Sequence, residues 1–312
     1  MPTLTRVSAT NKAATDYLAE SMLARVRRRF RRHPGAVGGI IVFSILVLLI
    51  LLAPLSPYDP NASSMAERFE PPSRQHLMGT DGLGRDLLTR ILYGGRISFM
   101  VGLLVVVITL TIGVTIGAAA GYFGGWIDNT LMRITDAALS MPSLLVLILL
   151  SASLREVKSV YFERNNVMLI AVVIGLLSWM TFARLVRAAF LTLREMDYVT
   201  ASRSLGGSSL YIITRHILPN AIGPIIVEAT LELGYAIIEE SGLSFLGFGI
   251  QPPTPSWGNL LGNAQEYLTK YPWLAIFPGL MIFFAIISVN YIGDGLRDAF
   301  DPHKVLEKVG ER

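Results

Sequence analysis

Residues Tyr198–Asn220, YVTASRSLGGSSLYIITRHILPN, decide how the rest of the chain is read. They form a polar stretch set between two long apolar ones, and a simple connector could be far shorter. The pattern predicts two short helical pieces, a turn at Gly206-Gly207 between them, and a stop at Pro219. Gly206 can end a helix without a Cβ penalty. Thr200, Ala201, Ser202 and Leu205 would then make a small, shallow helical face of the kind that fits a groove on another protein. The stretch reads as a docking element.

Six apolar segments surround it: Ala36–Ala53, Ser98–Gly121, Ile134–Leu154, Val167–Ala188, Ala221–Glu240 and Trp273–Ile292. Each is about 20 residues long, the length that crosses a hydrocarbon core. Lipid cannot satisfy open backbone groups, and the segments are too uniformly apolar for barrel strands, so each should be a helix. The fold class expected is an all-α membrane protein with six transmembrane helices. Composition agrees, with 52% apolar residues, 16% charged and a mean hydropathy of +0.51. A soluble domain carries roughly 25% charged residues. Met141-Pro142 should kink the third helix. Gly113, Gly117, Gly121 and Gly125 recur every fourth residue, a spacing that lets helix backbones approach within the chain or between subunits.

The basic residues set the expected orientation. With the N-terminus inside, the inner segments hold 18 Lys and Arg and the outer ones 9. That excess places both termini and the docking loop in the cytoplasm. The run Arg25–Arg32 (RVRRRFRR) precedes the first span and reads as an orientation signal, not a nucleic-acid surface. No small-residue cleavage site follows it, so the first apolar block reads as an uncleaved helix. The expected organisation is a basic cytoplasmic segment (1–35), a transmembrane domain (36–294) with its docking loop at 190–220, and a cytoplasmic tail (295–312). In the outer segment 54–97, Leu87, Leu88, Ile91 and Leu92 follow helical spacing, which predicts a short amphipathic helix at the outer surface leading into the second span.

Little else suggests chemistry. The chain has no cysteine, four scattered histidines, no phosphate loop and no nucleophile elbow. Glu228, Glu232 and Glu239 fall within about 40° of one another on one helix face. Carboxylates at membrane depth usually face a bundle interior or a water path. They either line a translocation pathway, where they could attract a substrate's ammonium group, or lie near an aqueous vestibule as solvated or paired charges. Asp136 should be hydrated or paired with Arg133.

At these residues the chain resembles a permease subunit of the ATP-binding-cassette importers, of the dipeptide/oligopeptide/nickel family. The signature of importer permeases is E-A-A, three residues, G, nine residues, then I-x-L-P. Here Thr200-Ala201-Ser202, Gly206 and His216-Ile217-Leu218-Pro219 occupy those places. Thr replaces Glu, Ser the second Ala, and His the Ile. Met78–Phe99 (MGTDGLGRDLLTRILYGGRISF) and Glu240–Leu261 (ESGLSFLGFGIQPPTPSWGNLL) are similar to segments of the C-type subunit, and the resemblance covers roughly residues 30–305.

The resemblance implies the type I importer architecture, with the loop at Thr200–Gly206 as coupling helix. It implies a second permease subunit, two cytoplasmic ATPase subunits that hold the ATP and magnesium, and an extracytoplasmic binding protein. This chain would carry no cofactor and would translocate dipeptides or oligopeptides across the cytoplasmic membrane. The same machine could carry nickel or another small solute. A reading from another class is a self-contained transporter using Glu228 and Glu232 as proton or cation sites, but no internal repeat is evident.

Overall fold

The computed structural model describes residues 22–156 and 166–300. The N-terminal residues 1–21, the 157–165 part of the expected second outer segment and the tail residues 301–312 lie outside the described residues. A basic helix α1 (Met22–Phe30) leads into α2 (Pro34–Leu51). His33 accepts from the Ala36 backbone at 3.0 Å and Pro34 occupies the first helical turn, so α2 starts with its free N–H groups partly capped. A non-helical outer segment then reaches α3 (Leu87–Phe123), capped by Asp86 and ended at Gly124 with φ +66°. There follow α4 (Gly125–Leu139), α5 (Ser143–Glu156), α6 (Asn166–Arg194) and α7 (Asp197–Ser204). The short α8 (Ser209–Ile212) continues through a π-helical turn (Ile213–Ile217) into α9 (Leu218–Phe245), and α10 (Trp257–Ala264) and α11 (Trp273–Phe300) complete the chain. The described residues contain no strand, only an isolated bridge between Thr80 and Asp86.

Five helical runs are long and apolar enough to cross a membrane alone: α2, α3, α6, the α8–α9 run and α11. The pair α4 and α5, bent by 83°, makes a sixth if the two together count as one span. The expected kink at Met141-Pro142 is thus a full break. Proline removes a backbone donor and pushes the residue before it out of helical space.

Two expectations are corrected. The amphipathic helix before the second span is not separate, because α3 runs unbroken for 37 residues, about 55 Å. A hydrocarbon core is about 30 Å thick, so one end of α3 stands clear of it. There Leu87 and Ile91 are buried against Leu260, Ala264 and Leu274, not laid on a lipid surface. Pro219 does not end the second helical piece. The π turn lets the Leu218 N–H bond to Ile213 O, five residues back, and this wider register leaves room for the proline in a continuing helix.

The backbone of the bundle is α3 laid against α6. A Cβ on Gly117 would stand 2.5 Å from Ala183 O and 2.7 Å from Val186 Cβ. On Gly121 it would stand 2.6 Å from Phe190 Cβ, and on Gly113 2.9 Å from Phe182 Cβ. Only hydrogen fits at these three positions, so this part of the glycine stripe serves packing within the chain. Gly125 has left the stripe and starts α4, with open space around it. Asp128 and Arg187 then join α4 to α6 through two bonds of 2.5 and 2.6 Å. Asp136 pairs across the same two helices with Arg184 at 2.5 Å, not with Arg133.

The end opposite the docking loop holds a buried polar knot. Glu240 is fully buried and accepts from Ser98 of α3 at 2.8 Å and from Ser244 at 2.7 Å. Trp257 is buried beside it, its indole N–H donating to Ile91 O at 3.0 Å and its backbone N–H to Ser98 Oγ at 3.3 Å. The loop before α3 is closed by Arg85 on Asp81 (2.7 Å) and His76 on Asp86 (2.9 Å).

Gly117→Val should disrupt the α3–α6 contact, because overpacking against backbone costs about 1–3 kcal/mol or more. The expected outcome is a lower melting temperature of the detergent-purified protein and less chain in the membrane. Gly242→Ala, a helical position with open space, should leave both unchanged or slightly improved.

Candidate functional site

The docking loop is anchored on one side and bare on the other. Val199, Ile212 and Ile217 are fully buried and join Phe182, Val186 and Phe190 of α6 in one apolar cluster. The helical period therefore turns Thr200, Ala201 and Leu205 outward, and Ser202 is half-buried. Leu205 is 89% exposed and Leu210 70%, with Met196, Tyr198 and Tyr211 also exposed. Five large apolar side chains gathered on a polar loop form a patch that fits a partner surface.

The turn holding this patch is a Schellman motif. The Gly206 N–H bonds to Arg203 O and the Gly207 N–H to Ser202 O, each at 3.0 Å. Gly206 has φ +82° and no atom near its missing Cβ. Its requirement is conformational, not steric. Ser208 then caps the next piece by accepting from the Tyr211 N–H.

The loop is also fastened to α3. Arg194, the last residue of α6, donates to Gly121 O at 3.1 Å and to Tyr122 O at 3.4 Å, where α3 ends with unpaired carbonyls. The Arg203 guanidinium lies 5.9 Å from the centre of the Tyr122 ring. A push on α7 therefore meets α3 as well as α6 and the α8–α9 run.

The acidic face lies farther along α9. Glu228 and Glu239 are half-buried and Glu232 is 9% exposed. Ser178 of α6 donates to Glu239 at 3.5 Å. No ion pair joins any of the three carboxylates to a Lys, Arg or His among the described residues. The paired-charge explanation thus has no support among the described residues. Sequence reasoning missed Glu240, which adjoins Glu239 but points about 100° away round the helix. Its signal was the serine one turn later, Ser244, which gives it a local donor.

Residues 113–305, more than half of the chain, match the model of the binding-protein-dependent transport system inner membrane component family. The chain belongs to that family. It is therefore a transport permease, in keeping with its apolar helices. Residues 21–72 match the N-terminal transmembrane domain of oligopeptide transport permease C. The chain is 40% identical over 307 residues to a putative peptide transport system permease protein of Brucella abortus biovar 1, covering 97% of this chain and 100% of the relative. It is 40% identical over 287 residues to a putative peptide permease protein of Brucella ovis, covering 91% and 92%. It is 37% identical over 291 residues to a dipeptide transport system permease protein of Alkalihalophilus pseudofirmus, covering 92% and 91%.

Gly206→Val should strain the left-handed turn by about 1–2 kcal/mol, whereas Gly206→Asn should be tolerated better. In membranes holding equal amounts of each chain, solute uptake should fall severalfold for Gly206→Val and stay near wild type for Gly206→Asn. Equal uptake by all three would remove the docking role from this turn.

Proposed function

We propose that this permease is one half of the membrane channel of an ATP-driven, binding-protein-dependent peptide importer in the cytoplasmic membrane. The observation that carries the reading is the Schellman-capped α7, with Leu205 bare on its outer side and Val199 locked into the bundle on its inner side. A surface so fixed and so apolar suits a cytoplasmic ATPase groove. Thr200, Ala201, Ser202, Leu205 and Gly206 are assigned as the coupling residues, and the excess of Lys and Arg on that side supports a cytoplasmic position for that end and for both termini.

In this reading a second, related permease subunit completes the pathway, and two ATPase subunits bind the ATP and magnesium. An external binding protein delivers the cargo, and this chain holds no nucleotide. Closure of the ATPases moves α7, and the movement passes to α6, to α3 through Arg194, and to α9 through the π turn. The pathway then alternates between its two openings. The names of the relatives support a peptide or dipeptide cargo, and Glu228, Glu232 and Glu239 are assigned to the pathway wall.

The unpaired carboxylates favour one rival, a self-contained carrier driven by protons or cations. Tagged chain purified gently from its native membrane distinguishes the two. The importer reading expects a second six-span permease and two ATPases to come with it, and peptide uptake in vesicles that stops without ATP. A chain that comes out alone and moves solute without ATP, losing that ability when the ion gradient collapses, would make the rival correct.

A further inference from the structure

Two buried carboxylates about two turns apart on α9, Glu232 and Glu240, are treated differently by the fold. Glu240 is given two serine donors and has no access to solvent. Glu232 is nine-tenths buried, yet its Oε1 has no hydrogen-bond partner among the described residues. Beside it stands Thr109 of α3, completely buried, whose Oγ1 closes no hydrogen bond yet lies near enough to weigh on the carboxylate as a donor. Ser178 of α6 lies between Glu232 and Glu239, reaching the latter at 3.5 Å. Three helices thus bring acceptor oxygens to one place, and no cation of the described chain answers them.

A buried polar group left unpaired is costly, and one orphan could be an accident of packing. A buried carboxylate oxygen left unbonded beside two hydroxyls, with two more carboxylates on the same face, suits a compact cation with several N–H donors. A primary ammonium has three donors and no acceptor. We propose that Glu232, with the hydroxyls of Thr109 and Ser178, forms a transit site for the α-ammonium group of a peptide as it crosses the membrane. Glu228 and Glu239 flank that site along α9 and supply attraction on either side of it. The proposal rests on the peptide-importer reading and adds which end of the peptide the permease senses.

The test uses the whole importer in proteoliposomes with its binding protein and two versions of one peptide. One has a free amino terminus, the other is N-acetylated, and the pair is chosen so that the binding protein loads both. Loading is then common to all variants, and any change in discrimination arises in the membrane. For Glu232→Gln, uptake of the free-amine peptide should fall about tenfold while the acetylated peptide is unaffected, the loss expected for one charge-assisted hydrogen bond. Thr109→Val keeps the side-chain shape and should give a smaller selective loss, about threefold, even if Glu232→Gln assembles poorly. Equal losses for both peptides would assign these residues to structure and overturn the site, as would no loss in either variant. A wild-type importer that moves neither peptide with ATP would instead overturn the peptide reading on which the site rests.

Discussion

The close approach of α3 to α6 through Gly113, Gly117 and Gly121 is the constraint on which the rest depends. In lipid there is little hydrophobic force between helices, so dispersion contacts at short range hold them together. At Gly117 the contact is with the backbone of Ala183, which leaves the partner helix no side chain to move aside. This fixed pair positions both functional regions. Toward one end, α6 stops within reach of the α3 terminus, so Arg194 can join the two and hold the docking loop. One turn in the other direction from Gly113 and Phe182 come Thr109 and Ser178, the two hydroxyls beside Glu232. The loop and the acidic face therefore share one rigid support.

The opposite end is held by a different principle. There Glu240, Ser98, Ser244 and Trp257 are buried together with their polar atoms matched. Such a group is a poor source of net stability, since taking a carboxylate out of water costs about as much as its hydrogen bonds return. What it supplies is position. Gly258 of α10 can sit against the backbone of Ser241, and the long α3 keeps its outer turns packed under α10 and α11. The matched donors of Glu240 mark structure at this end, whereas Glu232, with an oxygen left unbonded, is the carboxylate proposed for the pathway.

Much of this was legible in the sequence because membrane helices announce themselves by uninterrupted apolar length. The turn at Gly206-Gly207 was legible too, while the loop's docking role is what the resemblance implies. Pro142 signalled a disturbance, but its size, 83°, depends on how α4 and α5 each pack on their neighbours. Pro219 misled, because a proline tolerated by a π turn looks the same in sequence as one that ends a helix. Leu87 and Ile91 had the spacing of a surface helix, and only the fold of α10 and α11 over them shows that the face is covered by protein. Thr109 and Ser178 carried no signal at all. A hydroxyl in an apolar run ordinarily bonds back to its own helix, as Thr111 does to Val107 O, and only tertiary structure separates those that do not.

The account stands on the outward face of α7 being the surface that receives an external drive. A photo-crosslinking amino acid placed at Leu205, the most exposed large apolar side chain described, tests this in intact cells. Irradiation should join the chain to a cytoplasmic ATPase, and the adduct should weaken when Gly206→Val deforms the turn beneath it. A Leu205 probe that reacts only with lipid, or with nothing, while the cells still import peptide would contradict it.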